Sequence, residues 1–210
     1  MTKTLALITT LFAAVLLAAP ALAADPVDAS GPGELIQTAA QSMLKALDAD
    51  REAYRKDPKK VEQLVEEVLL PHFDSQYAAR LVLAKHWRTA TPGQRDRFIK
   101  GFYNSLLRNY GTALADFTGD RLKVFPAQVA PEGDRATVRT EVKRSNGERV
   151  PVNYTLRRVE GVWKAWDVTI EGISYVKSFR EDFGSEIDAK GLDAVIERLE
   201  RGDVPVKKAA

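Results

Sequence analysis

The sequence predicts an α+β fold, a curved antiparallel sheet with helices packed on one face, and three observations predict it. Apolar residues recur at helical spacing as far as about residue 117. From Arg121 they alternate with polar residues, and after Ser174 the helical spacing returns. Helices followed by an antiparallel meander segregate to one side of the sheet. Composition agrees with a packed core: of 210 residues, 45% are hydrophobic and 29% charged, unlike a disordered chain.

Residues 1–23 stand apart from this pattern. Lys3, the apolar run from Leu5 to Leu17 and the Ala21-Leu22-Ala23 triplet make a secretory signal peptide, cleaved after Ala23. Its apolar core is shorter than the roughly 20 residues that a membrane span needs. With no Cys in the chain, a lipid anchor on the mature terminus and any disulfide are excluded. Residues 24–210 are expected to form one exported domain, helical over 31–117, sheet over 121–171 and helical again over 174–201.

The elements follow in order. Leu35, Ile36, Ala39, Ala40, Met43, Leu44 and Leu47 give a first helix within 31–56. Asp57-Pro58 supplies a cap and a first-turn proline for a second, carrying Val61, Leu64, Val65, Val68 and Leu69. A short helix after Asp74 uses Tyr77, Ala78, Leu81 and Val82. Thr91-Pro92-Gly93-Gln94 is a capping box that opens a long helix to about Phe117. Its apolar set, including Phe98, Phe102, Leu106 and Tyr110, covers roughly half the helix circumference, wider than the usual stripe of about 100°. Two readings account for that width: a deeply packed central helix, or a helix facing core on one flank and an apolar cavity on the other.

In the sheet, Ala136, Val138, Thr140 and Val142 share one face of a strand, and Val150, Val152, Tyr154 and Leu156 one face of the next. A three-residue Ser145-Asn146-Gly147 loop pairs Val142 with Val150, Val138 with Tyr154, and Ala136 with Leu156; a two-residue loop would set opposite faces together. The third strand, Val162 to Ile170, has two possible facings. Trp166, Val168 and Ile170 line the apolar face in one, Trp163, Ala165 and Thr169 in the other; the first is preferred because Asp167 then points away. Ser174 is a cap for a helix carrying Val176, Phe179, Phe183 and Ile187, and Leu192, Val195, Ile196 and Leu199 form the last helix.

Chemical motifs are sparse. No nucleotide-binding glycine loop, metalloprotease helix or nucleophile elbow is present. A net charge of +2 of mixed sign lacks the one-signed patch that nucleic acid requires. His72 and His86 have no carboxylate or serine at relay spacing and read as structural. Asp167 is the best general-base candidate, set against the ordinary alternative of a carboxylate bonding backbone. Arg139, Lys143, Arg149 and Arg157 form either a solvated sheet face or a docking face for anionic lipid or an acidic partner.

Two segments resemble a known family. Leu83-Ala84-Lys85-His86-Trp87-Arg88-Thr89-Ala90-Thr91-Pro92-Gly93-Gln94-Arg95, followed by Phe98 and Phe102, is similar to its central helix start. Trp163-Lys164-Ala165-Trp166-Asp167-Val168-Thr169-Ile170-Glu171-Gly172-Ile173-Ser174, followed by Phe179-Arg180 and Phe183, is similar to its strand-to-helix signature. The family is MlaC, also called the toluene-tolerance auxiliary protein family, and the similarity runs from about residue 33 to 200.

The resemblance implies a nuclear-transport-factor-like cone that holds phospholipid acyl chains between sheet and helices. It implies no chemistry and no cofactor, with phospholipid as cargo. A monomer in the periplasm would shuttle lipid between an outer-membrane lipoprotein–porin complex and the MCE-domain subunit of an inner-membrane ABC transporter, maintaining outer-membrane lipid asymmetry. From the face assignments, Leu81, Phe98, Phe102, Leu106, Tyr110, Val138, Val152, Tyr154, Trp166, Val168, Ile170, Ile173, Val176 and Phe179 are expected to line the cavity. Two other classes compete: a cone-fold enzyme using Asp167 or His86 as base, and a periplasmic adaptor or chaperone.

Overall fold

The computed structural model describes residues 26–115, 118, 121–143 and 146–203, the side chains of residues 109–115 excepted. The expected signal peptide and the tail from Val204 lie outside the described residues. The order is α1 (Pro32–Ala49), α2 (Arg51–Lys56), α3 (Pro58–Val68), α4 (Ser75–Leu83), α5 (His86–Thr89), α6 (Pro92–Ala115), β1 (Leu122–Val124), β2 (Gln128–Val129), β3 (Arg135–Lys143), β4 (Arg149–Val159), β5 (Val162–Ile170), β6 (Ile173–Ser174), α7 (Tyr175–Lys190) and α8 (Leu192–Arg201). Among the described residues no helix is long and apolar enough to cross a membrane.

Local chemistry sets most helix boundaries. Asp57 accepts from the Lys59 N–H and Asp74 from the Tyr77 N–H, each satisfying a first-turn donor. Thr91 and Gln94 form both halves of the capping box, at 2.9 and 3.2 Å. One expected helix divides: Asp50 accepts from the Ala53 N–H and starts α2 afresh, so residues 31–56 form two helices.

The sheet is antiparallel, in the order β1-β3-β4-β5-β6, with β2 also paired to β3. Val142 lies opposite Val150, Val138 opposite Tyr154 and Ala136 opposite Leu156, the register that a three-residue loop requires. Gly147 in that loop has φ of 88°, the left-handed conformation that glycine adopts without strain.

Three hydrophobic clusters hold the layers together. Leu35 and Ile36 of α1 pack on Ala136, Val138, Leu156, Trp163 and Ala165 of the sheet. Met43 and Leu47 of α1 pack with Val61, Leu64, Val65 and Val68 of α3 and with Leu107 of α6. The largest joins α4, α6, α7 and α8 around Phe98, Phe102, Phe179 and Phe183. In this last cluster Phe98 stacks on Phe102 at 5.8 Å, and Phe102 meets Phe179 edge-on at 5.1 Å. Gly101 permits the approach of α8: a Cβ there would stand 3.0 Å from the Leu199 Cβ.

Candidate functional site

β5 satisfies neither expected facing throughout, because a bulge changes its facing midway. Ile170 and Val168 lie opposite Val152 and Tyr154, while Ala165 lies opposite Leu156 and Trp163 opposite Arg158. Trp166 is the extra residue at the shift between Thr155 and Leu156. The preferred facing is therefore correct for Val168 and Ile170, and the alternative is correct for Trp163 and Ala165. The cause is tertiary. Phe73 bridges to Ala165, and the Asp74 N–H donates to the Ala165 carbonyl at 2.7 Å, which ties the start of α4 to this point of the strand. Trp166 meets Tyr77 of α4 edge-on at 5.4 Å.

Asp167 is across from Thr155, on the face opposite Val168, yet it is buried. Its carboxylate accepts from the Ser174 hydroxyl at 2.6 Å and from the Val176 N–H at 3.0 Å. Both oxygens are engaged at the start of α7, where Ser174 in turn accepts from the Lys177 N–H. This arrangement fastens β5 to α7, the ordinary role that the sequence left open for it. His86 Nε2 lies 3.4 Å from the Asp188 carboxylate, which Lys85 also meets at 2.8 Å. Burial, reinforced by the charge of Lys164, lowers the pKa of His72, which favours a neutral ring. Among the described residues no group of acidic residues or histidines could hold a metal.

The apolar face of the sheet includes two adjacent cross-strand rows that reach β5 beyond the bulge. Val138, Tyr154 and Val168 form one, Thr140, Val152 and Ile170 the next. Thr140 is the polar exception, and its hydroxyl donates to the Val152 carbonyl at 2.8 Å. Val138 is sealed inside the cluster with α1, and Tyr154 packs at the edge of that cluster. Val152 is buried, but neither it nor the half-buried Val168 and Ile170 belongs to any of the three clusters. Tyr154 is half-buried, yet burial alone pushes its pKa up.

The helical residues fall differently. Phe98, Phe102, Val176 and Phe179 are packed inside the aromatic cluster, with Leu81, Leu106 and Trp166 half-buried against it. Tyr103 and Leu107, on another flank of α6, join the cluster with α1 and α3. Burial on both flanks accounts for the broad apolar arc, so α6 is a central packed helix. The Tyr110 side chain lies outside the described residues. Ile173, the first residue of β6, is half exposed opposite Ile170. Of the expected basic docking face, Arg157 is engaged within the fold: its Nε lies 2.9 Å from Asp74, and its guanidinium covers Tyr77 at 4.2 Å. Arg149 pairs with Glu141 at 3.2 Å. Sequence reasoning missed the Phe73 and Asp74 contacts that shape β5, since no local pattern encodes them.

Comparison with known proteins gives a consistent set of matches. A family model described as MlaC protein matches residues 37–201. The toluene tolerance protein ttg2D of Pseudomonas putida is 34% identical over 176 residues, covering 82% of this chain and 81% of that protein. The intermembrane phospholipid transport system binding protein MlaC of Haemophilus influenzae is 22% identical over 175 residues, 82% of each. Among solved structures, a phospholipid-binding protein from Ralstonia solanacearum, in complex with a phospholipid, superposes with a TM-score of 0.74 at 25% identity. That likeness covers 80% of this chain and 94% of the other.

Proposed function

The chain belongs to the MlaC family, and from that premise we propose that it is a phospholipid carrier that works without chemistry of its own. The observation that carries the proposal is the likeness, over most of both chains, to a protein that holds a phospholipid. In this chain the rows at Val152, Tyr154, Val168 and Ile170 supply an apolar sheet face for acyl chains, with Leu81 and Leu106 on the helical side.

Energetics explain why such a carrier is needed. Each buried methylene is worth about 0.8 kcal/mol, so exposing an acyl chain of about 16 carbons costs on the order of 12 kcal/mol. A protein surface nearly as favourable as the bilayer makes exchange close to thermoneutral. Direction then comes from partners that bind the loaded and empty forms unequally. The carrier is a single domain, exported by residues 1–23 to the periplasm. It passes lipid between an outer-membrane lipoprotein–porin complex and the MCE-domain subunit of an inner-membrane ABC transporter.

Protein purified without detergent, extracted with organic solvent and analysed by mass spectrometry tests this reading. Phospholipid near one molecule or more per chain is expected. An empty protein that also takes up none from vesicles overturns it.

A further inference from the structure

The polar face of the sheet carries a row of charges that works against the fold. Arg135 of β3 lies directly opposite Arg157 of β4, and Arg157 directly opposite Lys164 of β5. Neighbouring strands are about 4.8 Å apart, and like charges set directly opposite one another are destabilising. Arg80 of α4 adds a further cation: its guanidinium lies 5.4 Å from the centre of the Tyr77 ring, and that of Arg157 4.2 Å from the same ring. Asp74 meets Arg157 at 2.9 Å, but its other oxygen is held by the Tyr77 N–H. Among the described residues Arg135, Lys164 and Arg80 form no ion pair, although Asp134 and Glu160 stand in the adjoining turns. After burial, the charge of Lys164 is the second cause that lowers the His72 pKa, as a positive field left without a counter-ion does.

Hydroxyls lie beside the cations. In the adjacent row of the same face Thr137 is opposite Thr155, both half-buried, and neither hydroxyl makes a hydrogen bond among the described residues. Asp167, the third member of that row, is turned away, with both oxygens on Ser174 and Val176. Arginine and lysine donate and never accept, and a threonine hydroxyl can donate as well. Such a set calls for an anion with several acceptor oxygens, and a phosphate group meets two or more donors at once. The two rows hold no large apolar side chain, which the buried core of a protein–protein interface would supply. We propose that Arg135, Arg157 and Lys164, with Thr137 and Thr155, bind a phosphate group, either that of a lipid headgroup in a bilayer or a soluble phosphate. The site lies on the face away from Val152, Tyr154 and Val168 and does not depend on the carrier reading.

The test compares wild type with the double variant Arg135→Gln/Lys164→Gln, and with Lys59→Gln/Lys60→Gln, which removes two exposed charges on α3. Each is titrated calorimetrically with inorganic phosphate at low ionic strength, and each is sedimented with vesicles of phosphatidylcholine alone or with added phosphatidylglycerol. The wild type is expected to bind at least one probe, inorganic phosphate or the anionic vesicles. The Arg135/Lys164 variant should bind it about tenfold more weakly for each cation removed, while the α3 variant keeps wild-type affinity. Loss of phosphate binding assigns the site to a soluble phosphate; loss of vesicle binding alone assigns it to a headgroup in the bilayer. Without either probe the Arg135/Lys164 variant should melt no lower than wild type, since it relieves a like-charge row. A wild type that ignores both probes, equal weakening in the two variants, or tighter binding of poly-glutamate than of phosphate overturns the inference.

Discussion

The aromatic cluster of α6, α7 and α8 and the far rows of the sheet are both apolar, and they are built in opposite ways. In the first, Phe98, Phe102, Phe179 and Phe183 contact one another at ring separations of 5.1 to 6.0 Å and are nearly inaccessible. In the second, Val168 and Ile170 keep part of their surface and join no cluster among the described residues. Close packing that leaves no surface to a ligand is how a protein gains stability. Apolar surface held in register but left partly open is how it gains a binding face. If the far rows hold lipid as proposed, substitutions in the two regions should fail differently.

The largest expected effect lies in the aromatic cluster. Phe183→Ala removes a ring that Phe98, Phe102 and Phe179 all touch, at a cost of about 3–5 kcal/mol. Urea denaturation should record that loss as a lower midpoint. Next comes the fastening between the regions. Asp167→Ala strands the Ser174 hydroxyl and the Val176 N–H, for about 1–3 kcal/mol. A thermal melt should fall by several degrees, and recovery by Asp167→Asn should be partial, because the amide accepts through one oxygen.

The smallest effect is one of pH. The folded pKa of His72 lies below the ordinary value of 6.5, so the unfolded chain binds its proton first. This contribution to stability is fully present above 6.5 and is lost as pH falls through that value toward the folded pKa. His72→Asn should therefore flatten the fall of the melting temperature between neutral and mildly acidic pH. An equal slope in both proteins would show that His72 does not titrate differently on folding.

The two regions were also unequally legible in the sequence. Caps at Asp57, Thr91 with Gln94, and Ser174 could be read because each depends on neighbours within a few residues. The β3–β4 register could be read because a slip by one residue would turn every valine outward. The bulge at Trp166 could not. It depends on Phe73, Asp74 and Tyr77, about ninety positions earlier in the chain. The same limit applies to α6, whose apolar arc announced burial without saying that one flank meets α3 and another α7. Of the proposed lipid face, the strand rows were legible and the partial exposure of Val168 and Ile170 was not, since accessibility depends on what the helices leave uncovered.

The most direct measurement concerns Val152, which is buried on that face between Thr140 and Ile170 of the neighbouring strands. Val152→Arg puts a charge on the wall. If the face is a binding surface, the arginine stem lies along it and the head reaches the mouth, so the fold survives while acyl chains are displaced. Phospholipid per protein after detergent-free purification, read together with a thermal melt, should show a cooperative transition and several-fold less lipid than wild type. A folded variant carrying full lipid, or a molten one in which the charge has wrecked an ordinary core, would contradict the account.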